Sequence, residues 1–218
     1  MIHDLDNQND YWNKVAWEKS FSLPVNLSLL QTHLALDSKI LDYGCGYGRV
    51  SQELVTSGYS EIVGLDSSVE MIQRGRQLYP KLRFDLLDGE GAELPYDDTF
   101  FDAVLLIAVL TCIPSDKGQQ NLIAELKRVL RPGGILYTSD YTLQKDERNR
   151  QRYGEYAARF GRHGVFQLPE GAVFRHHSME WIKLLLADFE TLSILYPRVI
   201  TMNGHEARAF QYLCRKRD

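Results

Sequence analysis

The segment from Ile40 to Arg49 constrains the fold of this chain more than any other part of its sequence. The apolar pair Ile40-Leu41 leads through Asp42 into glycines at 44, 46 and 48, and an amphipathic pattern follows over residues 50–57. This order predicts a strand, a tight turn and a helix. Glycine lets a backbone approach a ligand where a Cβ atom would clash, and the free N–H groups at the start of the helix face the same point. The segment therefore predicts a nucleotide-type cofactor site.

The glycine spacing separates two kinds of nucleotide site. A dinucleotide-binding turn has the pattern G-x-G-x-x-G, which here would need a glycine in place of Arg49. A second apolar strand, Ile62 to Leu65, ends at Asp66, 22 residues after Gly44. An acid at that place accepts hydrogen bonds from ribose hydroxyls. Asp66 and Ser67 also suit the N-terminus of the next helix, and capping is compatible with ribose binding.

Two later segments complete a family pattern. The acidic stretch Asp88 to Tyr96 ends in Leu-Pro-Tyr before the apolar run Phe101–Ile107, and Arg131-Pro132-Gly133-Gly134 precedes another apolar run. In this order, together with the glycine segment and Asp66, they resemble the class I S-adenosylmethionine-dependent methyltransferases of the small-molecule type, which have a Rossmann-like fold. The resemblance covers about residues 40–140.

The resemblance implies S-adenosyl-L-methionine as the cofactor. It assigns the glycines to the methionine part, Asp66 to the ribose, and Glu90 with the N–H of Gly91 to the adenine. Relatives usually have Asp and Ala at these last two positions, so Asp88 stays open as the adenine contact. The full set implied for the cofactor is Asp42, Gly44, Gly46, Gly48, Asp66, Ser67, Glu90, Gly91 and Ile107.

Strand and helix patterns alternate after the first part of the chain, which predicts an α/β fold with a doubly wound, mostly parallel sheet. The resemblance implies seven strands, helices on both faces and an antiparallel last strand. We expect one domain with four parts: a helical N-terminal arm (1–37), a cofactor-binding core (38–140), a helical lid insertion (141–177), and a C-terminal helix and strand pair (178–218).

Composition limits the partners and the location. The formal charge of −4 on 218 residues disfavours a nucleic-acid partner, because phosphate contacts need clustered lysine and arginine. No apolar stretch is long enough to cross a bilayer, so we expect no membrane partner and a cytoplasmic protein. The three cysteines lack C-x-x-C spacing and no histidine pair lies four apart on a helix, so no metal site is expected. Oligomeric state stays open.

The insertion (141–177) differs from the rest of the chain, because its sequence does not follow the pattern of apolar strands and amphipathic helices that builds the sheet. From Lys145 to His163 it carries six lysine or arginine residues against three acidic ones. In open α/β sheets a segment after the fifth strand overhangs the strand ends, where ligands bind. Arginines there would attract an anionic group such as a carboxylate, although a solvated helix gives the same pattern. Substrate contacts are predicted at Tyr11, Trp12, Lys19, Arg148, Arg152, Tyr156 and His205.

Three residues are candidates for a general base, if the reaction needs one. His176 and His177 enter the helix that follows the insertion, and Asp140 ends the fifth strand, so all three belong at the ligand-binding edge. Each also has a plain structural interpretation as a helix-start or core residue.

The predicted function is methyl transfer from S-adenosyl-L-methionine to an O, N or S atom of a small, possibly anionic, metabolite. The chain has no [DN]-P-P-[YF] motif after the fourth strand, which disfavours nucleobase and glutamine substrates. Two alternatives stay open. One is a non-catalytic cofactor-binding or partner-binding module of the same fold. The other is an NAD-dependent oxidoreductase, which the missing G-x-G-x-x-G pattern disfavours.

Overall fold

The computed structural model describes residues 5–87 and 93–218. The strands are β1 (Lys39–Tyr43), β2 (Glu61–Asp66), β3 (Arg83–Leu86), β4 (Phe101–Ile107), β5 (Leu130–Tyr141), β6 (Val165–Gln167), β7 (Val173–Arg175), β8 (Phe189–Leu195), β9 (Arg198–Ile200) and β10 (Glu206–Lys216). The helices are α1 (Asn9–Val15), α2 (Leu27–Gln31), α3 (Arg49–Thr56), α4 (Val69–Leu78), α5 (Asp116–Val129), α6 (Glu147–Phe160) and α7 (Met179–Leu185). A short 3₁₀ turn, Leu110–Cys112, follows β4.

The main sheet has the strand order β3-β2-β1-β4-β5-β10-β8, and β9 pairs with β10 as an eighth strand. The first five strands pair in parallel, while β10 runs antiparallel between β5 and β8. This confirms the predicted α/β fold with a mostly parallel sheet and an antiparallel last strand. The short β9 adds one strand to the seven that the resemblance implied.

Alternate residues of the central strands enter two separate cores. Leu41 and Val104 join a cluster that also contains apolar residues of α5 and α7. Their neighbours Ile40 and Leu105 join a second cluster with residues of α2 and α3. Side chains alternate across a strand, so both faces of β1 and β4 must be apolar to bury the sheet between two layers of helices. That burial fixes the strand ends, where the glycine segment and Asp66 lie.

The insertion is helical only in its first half. Asp146 caps the start of α6, since its Oδ1 accepts the backbone N–H of Asn149 at 3.1 Å. After α6 the chain forms an antiparallel hairpin from β6 and β7, which the sequence analysis did not predict. In the N-terminal region both helices are short, since α1 has seven residues and α2 has five. Within residues 5–87 and 93–218, no helix is long and apolar enough to cross a membrane.

Gly48 offers a test of how closely the glycine turn packs. Its φ is +83°, and a Cβ atom there would lie 2.5 Å from the Phe84 ring. Gly161 has a similar φ of +63°, but nothing lies within 4 Å of its Cβ position. Both Gly→Ala changes place alanine in the left-handed region, so the clash distinguishes them. We expect Gly48→Ala to lose about 1 to 3 kcal/mol more unfolding free energy than Gly161→Ala in urea titrations. Equal losses would show that Phe84 moves aside freely.

Candidate functional site

One large cavity opens at the carboxyl ends of the parallel strands, as expected for an open α/β sheet. Two parts of its lining carry most of the polar chemistry. We call the first the strand-end wall; it comprises Asp42, Gly44, Gly46, Asp66, Ser67, Ile107, Ala108 and Val109. We call the second the insertion wall; it comprises Arg148, Asn149, Arg152, Phe166, Phe174 and His176.

The strand-end wall is a backbone cradle closed by one carboxylate. Gly44 and Gly46 both have positive φ, and a Cβ atom on Gly46 would clash with the ring of Phe21. The N–H of Gly46 donates to Asp66 Oδ2 at 2.8 Å, and the N–H of Ser68 donates to Asp66 Oδ1 at 2.9 Å. Each carboxylate oxygen can accept a further hydrogen bond from a ligand hydroxyl. The turn thus holds Asp66 in one orientation beside open space.

Burial perturbs both carboxyl groups of this wall. Burial raises the pKa of Asp66, and the backbone N–H groups of Ser68, Gly46 and Ser67 oppose that rise. Burial also raises the pKa of Asp42 to about 6. The hydroxyl of Ser51, which donates to Asp42 Oδ2 at 2.6 Å, acts to lower this pKa but does not outweigh burial. Two carboxyl groups in an otherwise apolar wall favour a ligand with hydroxyl donors or positive charge.

The insertion wall carries two arginines from one face of α6. Arg148 and Arg152 are four residues apart, so they share that face. Neither makes an ion pair with a carboxylate among the residues that the structure describes. The guanidinium of Arg152 lies over the Phe166 ring, 3.5 Å from its centroid, and burial lowers the pKa of that guanidinium. Among residues 5–87 and 93–218, therefore, no carboxylate neutralises the positive charge of this wall at contact distance.

A buried hydrogen bond fixes His176 within this wall. The Oη of Tyr153 lies 2.6 Å from His176 Nδ1 and accepts the backbone N–H of Gln144 at 3.2 Å. Burial, followed by the charges of Arg152, His177 and Arg148, holds the pKa of His176 well below its usual value. The ring is therefore neutral at pH 7.

The N-terminal segment covers the cavity from outside the sheet. Trp12 lines it and stacks on Phe174, with ring centroids 6.1 Å apart. On the strand-end side, Ser67 Oγ donates to Asn9 Oδ1 at 2.5 Å, and Ser68 Oγ donates to Asn13 Oδ1 at 2.7 Å. Helix α1 is thus bound to the start of α4, directly beside Asp66.

The structure brings many of the predicted site residues together. Those that line the cavity are Asp42, Gly44, Gly46, Asp66, Ser67, Ile107, Trp12, Arg148, Arg152, His176 and His205. Those that lie elsewhere are Gly48, Tyr11, Lys19, Tyr156, His177 and Asp140. Glu90, Gly91 and the alternative Asp88 lie outside the described residues.

Four of the residues outside the cavity lining have structural contacts instead. Gly48 packs against Phe84. Tyr11 packs edge-on against Trp12 and Phe174. Lys19 forms an ion pair with Glu170 at 3.5 Å, and Tyr156 stacks on Phe160.

His177 points away from the cavity, into the core. Its Nε2 lies 2.9 Å from the side-chain amide nitrogen of Gln119 on α5. Burial lowers its pKa to about 3. Because adjacent residues of an extended segment face opposite ways, His176 and His177 cannot both reach the cavity.

Asp140 is buried beneath the strand-end wall. Its Oδ2 accepts the N–H of Thr111 at 2.8 Å, and its Oδ1 accepts the N–H of Tyr141 at 2.7 Å. These bonds fix the 3₁₀ turn after β4. Burial raises the pKa of Asp140 to about 7.

The raised pKa of Asp140 predicts a pH-dependent stability. The folded protein holds the proton of this carboxyl group more tightly than the unfolded chain does. Stability from this group is therefore complete below about pH 4 and is lost as the pH rises through about 7. We expect the difference in unfolding free energy between the unchanged protein and Asp140→Asn to fall by up to about 1.4 kcal/mol per pH unit in that window. Urea titrations at several pH values measure it.

Asp102 provides the control for this titration. Burial would raise its pKa, but the N–H of Lys39 and the guanidinium of Arg131 outweigh burial and lower it. Asp102 therefore titrates below the window, and the corresponding difference for Asp102→Asn should stay constant. A constant difference for Asp140→Asn as well would contradict the burial argument.

The sequence analysis missed several residues of the insertion wall. Tyr153, Phe166 and Phe174 were not among the predicted site residues, although Phe166 and Phe174 line the cavity and Tyr153 orients His176. The signal available was alternation in Val165-Phe166-Gln167 and Val173-Phe174-Arg175 around Pro169 and Gly171, which is typical of a hairpin. Among the described residues no group of three or more His, Cys, Asp or Glu side chains could hold a metal ion.

Comparison with known proteins shows that the part of the chain around this cavity is similar to methyltransferases. A family model described as a methyltransferase domain matches residues 41–138, which include the whole strand-end wall. A sterol 24-C-methyltransferase of Gibberella zeae is 34% identical over 103 residues, covering 44% of this chain and 26% of that protein. A phthiotriol/phenolphthiotriol dimycocerosates methyltransferase of Mycobacterium ulcerans is 34% identical over 114 residues, covering 50% of this chain and 40% of that protein.

A solved structure extends the similarity beyond the core. A SAM-dependent methyltransferase from Methanosarcina mazei superimposes with a TM-score of 0.81 at 26% identity, covering 87% of this chain and 97% of that one. By contrast, the chain spans well under half the length of the two curated relatives.

Proposed function

We propose that the chain is a class I S-adenosylmethionine-dependent methyltransferase, which uses S-adenosyl-L-methionine to methylate a small molecule held in the cavity. The acceptor atom is an oxygen, nitrogen or sulfur. The observation that carries the proposal is the strand-end wall, in which the glycine turn and Asp66 meet at one side of a deep cavity.

The residues of this wall fit the cofactor. The oxygens of Asp66 would accept the ribose hydroxyls, since each already holds one backbone N–H and keeps a lone pair free. Gly44 and Gly46 would border the methionine part; a Cβ atom at these positions would clash with the side chains of Val109 and Phe21, which also line the cavity. Apolar residues of the lining suit the adenosine face; they are Met71, Leu87, Ile107 and Val109. Glu90 and Gly91 are proposed for the adenine edge, with Asp88 as the alternative.

Bound S-adenosyl-L-methionine would supply an electrophilic methyl group on a positively charged sulfonium. The chain's own contribution is to orient the two reactants and exclude water. Helix α1 and the β6–β7 hairpin would close the cavity as an arm and a lid, since Trp12 and Phe174 already stack across it. Among the three candidate bases only His176 lines the cavity, and its neutral ring serves better as a hydrogen-bond partner.

Methyl transfer from radiolabelled S-adenosyl-L-methionine to a panel of small molecules tests the proposal. The panel should contain oxygen, nitrogen and sulfur acceptors, and also carbon acceptors, because the Gibberella zeae relative is named for transfer to carbon. We expect label in at least one small product and none in nucleic acid. Cofactor binding without transfer to any acceptor would favour the non-catalytic module, and an NADH-dependent reaction would favour the oxidoreductase.

A further inference from the structure

We propose that the insertion wall is a carboxylate subsite for the methyl acceptor, so that the substrate is a carboxylic acid with an apolar or aromatic body. This inference rests on the proposed function and names its substrate class. The subsite consists of Arg148, Arg152 and His176, which come from α6 and from the residue after β7 and line one end of the cavity.

The two arginines are the first argument. Burial and the nearby charge of Arg148 both act to lower the pKa of the Arg152 guanidinium, so the two cations repel each other across the wall. Two other arginines of the insertion are paired with carboxylates: Arg150 pairs with Glu147 at 2.9 Å, and Arg162 with Asp116. A ligand anion would relieve the repulsion at Arg148 and Arg152.

Two carboxylates of this region, Asp146 and Asp6, form no ion pair with Arg148 or Arg152, although the charge of Asp146 attracts both arginines from a greater distance. Asp146 has both oxygens engaged by Asn149, one by its backbone N–H at 3.1 Å and one by its side-chain amide at 2.5 Å. Asp6 lines the cavity, but its carboxylate accepts from the backbone N–H and the hydroxyl of Ser115. Positive charge therefore remains at this end of the cavity among the residues that the structure describes.

The tautomer of His176 is the second argument. Tyr153 Oη accepts the N–H of Gln144 and lies 2.6 Å from His176 Nδ1, so we assign the single hydrogen of this hydroxyl to the bond with Nδ1. A neutral imidazole whose Nδ1 accepts must carry its proton on Nε2. No residue that the structure describes bonds to Nε2, so this N–H is available to a ligand as a donor. His176 is thus a specificity residue, whose Nε2–H would donate a hydrogen bond to an oxygen of the substrate carboxylate. Tyr153 is the positioning residue of His176.

The remaining lining indicates the body of the substrate. Trp12, Phe166, Phe174, Leu168 and Met202 give this part of the cavity aromatic and apolar surfaces. The guanidinium of Arg152 lies over the Phe166 ring, which leaves its N–H edge for bidentate contact with a planar carboxylate. Arg148 is exposed to solvent, which screens its charge, whereas Arg152 is partly buried. The guanidinium of Arg152 therefore matches the single negative charge of a carboxylate. This balance favours a carboxylate over a doubly charged phosphate monoester.

Ligand-observed NMR on protein saturated with S-adenosylhomocysteine tests the subsite. The probes are matched pairs with the same body: benzoate and benzamide, phenylacetate and phenylacetamide, and indole-3-acetate and indole-3-acetamide, with phenyl phosphate added. We expect the acid of at least one pair to bind roughly tenfold or more tightly than its amide, because the amide lacks the charge. Equal binding within every pair, binding by no acid, or tighter binding of phenyl phosphate than of benzoate would overturn the proposal.

Two variants separate the subsite from the fold. Arg152→Gln should weaken acid binding about tenfold or more while S-adenosylhomocysteine affinity stays the same. Arg159→Gln is the matched control, since Arg159 lies on the same helix but bonds to Gln167 at 2.6 Å outside the cavity lining. It should leave acid binding unchanged. Acid binding that survives Arg152→Gln would contradict the proposal.

Nitrogen-15 NMR of His176 gives a readout that a merely structural role would not require. We expect a protonated Nε2 and an unprotonated Nδ1 in the unchanged protein, and loss of that preference in Tyr153→Phe. A proton on Nδ1 in the unchanged protein would overturn the donor role. The affinity for S-adenosylhomocysteine is measured first, because it distinguishes the two claims. If S-adenosylhomocysteine does not bind, the proposed function is wrong. If it binds but no acid is preferred over its amide, only the carboxylate subsite is wrong.

Discussion

An Asp66→Ala variant is expected to bind S-adenosylhomocysteine at least about a hundredfold more weakly than the unchanged protein. The carboxylate of Asp66 is held by the N–H groups of Gly46 and Ser68 at the cavity wall, so it presents its remaining lone pairs without reorganising. Hydrogen bonds to a charged group contribute roughly 1.5 to 3 kcal/mol each, and two ribose hydroxyls would be lost as partners. A hundredfold change in Kd corresponds to about 2.7 kcal/mol.

Asp85→Ala is the control for this experiment. Asp85 lies near the end of the neighbouring strand β3, where it bonds to Arg83 at 2.9 Å and to the hydroxyl of Tyr96 at 3.0 Å, outside the cavity lining. We expect its removal to leave the Kd within about twofold. Circular dichroism at the titration temperature checks that both variants are folded. Similar affinities for Asp66→Ala and the unchanged protein would mean that the ribose is bound elsewhere.

An Asp116→Ala variant is expected to lose about 3 kcal/mol of unfolding free energy, because it leaves a buried cation without its partner. Asp116 bonds to Arg175 at 2.8 Å and also to Arg162, and thereby joins the insertion to the first turn of α5. Only 4% of the Arg175 side chain is exposed. Burial already acts to lower the pKa of this guanidinium, and Asp116 opposes it.

The effect of Asp116→Ala should be concentrated in the hairpin. Residue 175 ends β7, and His176 follows it into the cavity, so loosening this anchor should weaken acceptor binding more than cofactor binding. Hydrogen exchange of the β6 and β7 amides measures the local change. Asp188→Ala is the control, since Asp188 forms an exposed pair with Lys127 at 2.7 Å, and such pairs contribute little. Equal destabilisation by the two variants would contradict the buried-pair argument.

The cofactor side of the cavity could be predicted from the sequence because its geometry is local. Strands β1 and β2 contain the apolar runs from which they were predicted, and parallel strands must end at the same edge of the sheet. The spacing from Gly44 to Asp66 therefore fixes that the two come together. The structure adds the direct hydrogen bond between Gly46 and Asp66, which spacing alone does not specify.

The substrate side could be predicted only in part, because it depends on which way each side chain faces. Arg148 and Arg152 lie in the cavity wall. Tyr156 is four residues beyond Arg152 on α6, so it lies about 6 Å further along the helix axis, where it packs on Phe160 instead. His176 and His177 face opposite ways because they are adjacent residues of an extended segment. Their positions follow from the packing of α6 and the hairpin, which no local pattern in the sequence encodes.

Tyr153 illustrates what no spacing rule reveals. Its hydroxyl lies 2.6 Å from Nδ1 of His176, 23 residues away, in a contact that exists only because α6 and the end of β7 pack together. The sequence identified the surrounding segment as rich in arginine and tyrosine, but a solvated helix has the same composition. Burial, which decides between the two interpretations, is a property of the folded chain.

Calorimetric titration of the unchanged protein with S-adenosylhomocysteine, and separately with NADH, tests the central claim most directly. The glycine turn, Asp66 and the match of residues 41–138 to a methyltransferase domain predict saturable binding of S-adenosylhomocysteine with a Kd on the order of micromolar and no binding of NADH. Binding of NADH alone, or of neither compound, would contradict the assignment of this cavity to S-adenosyl-L-methionine.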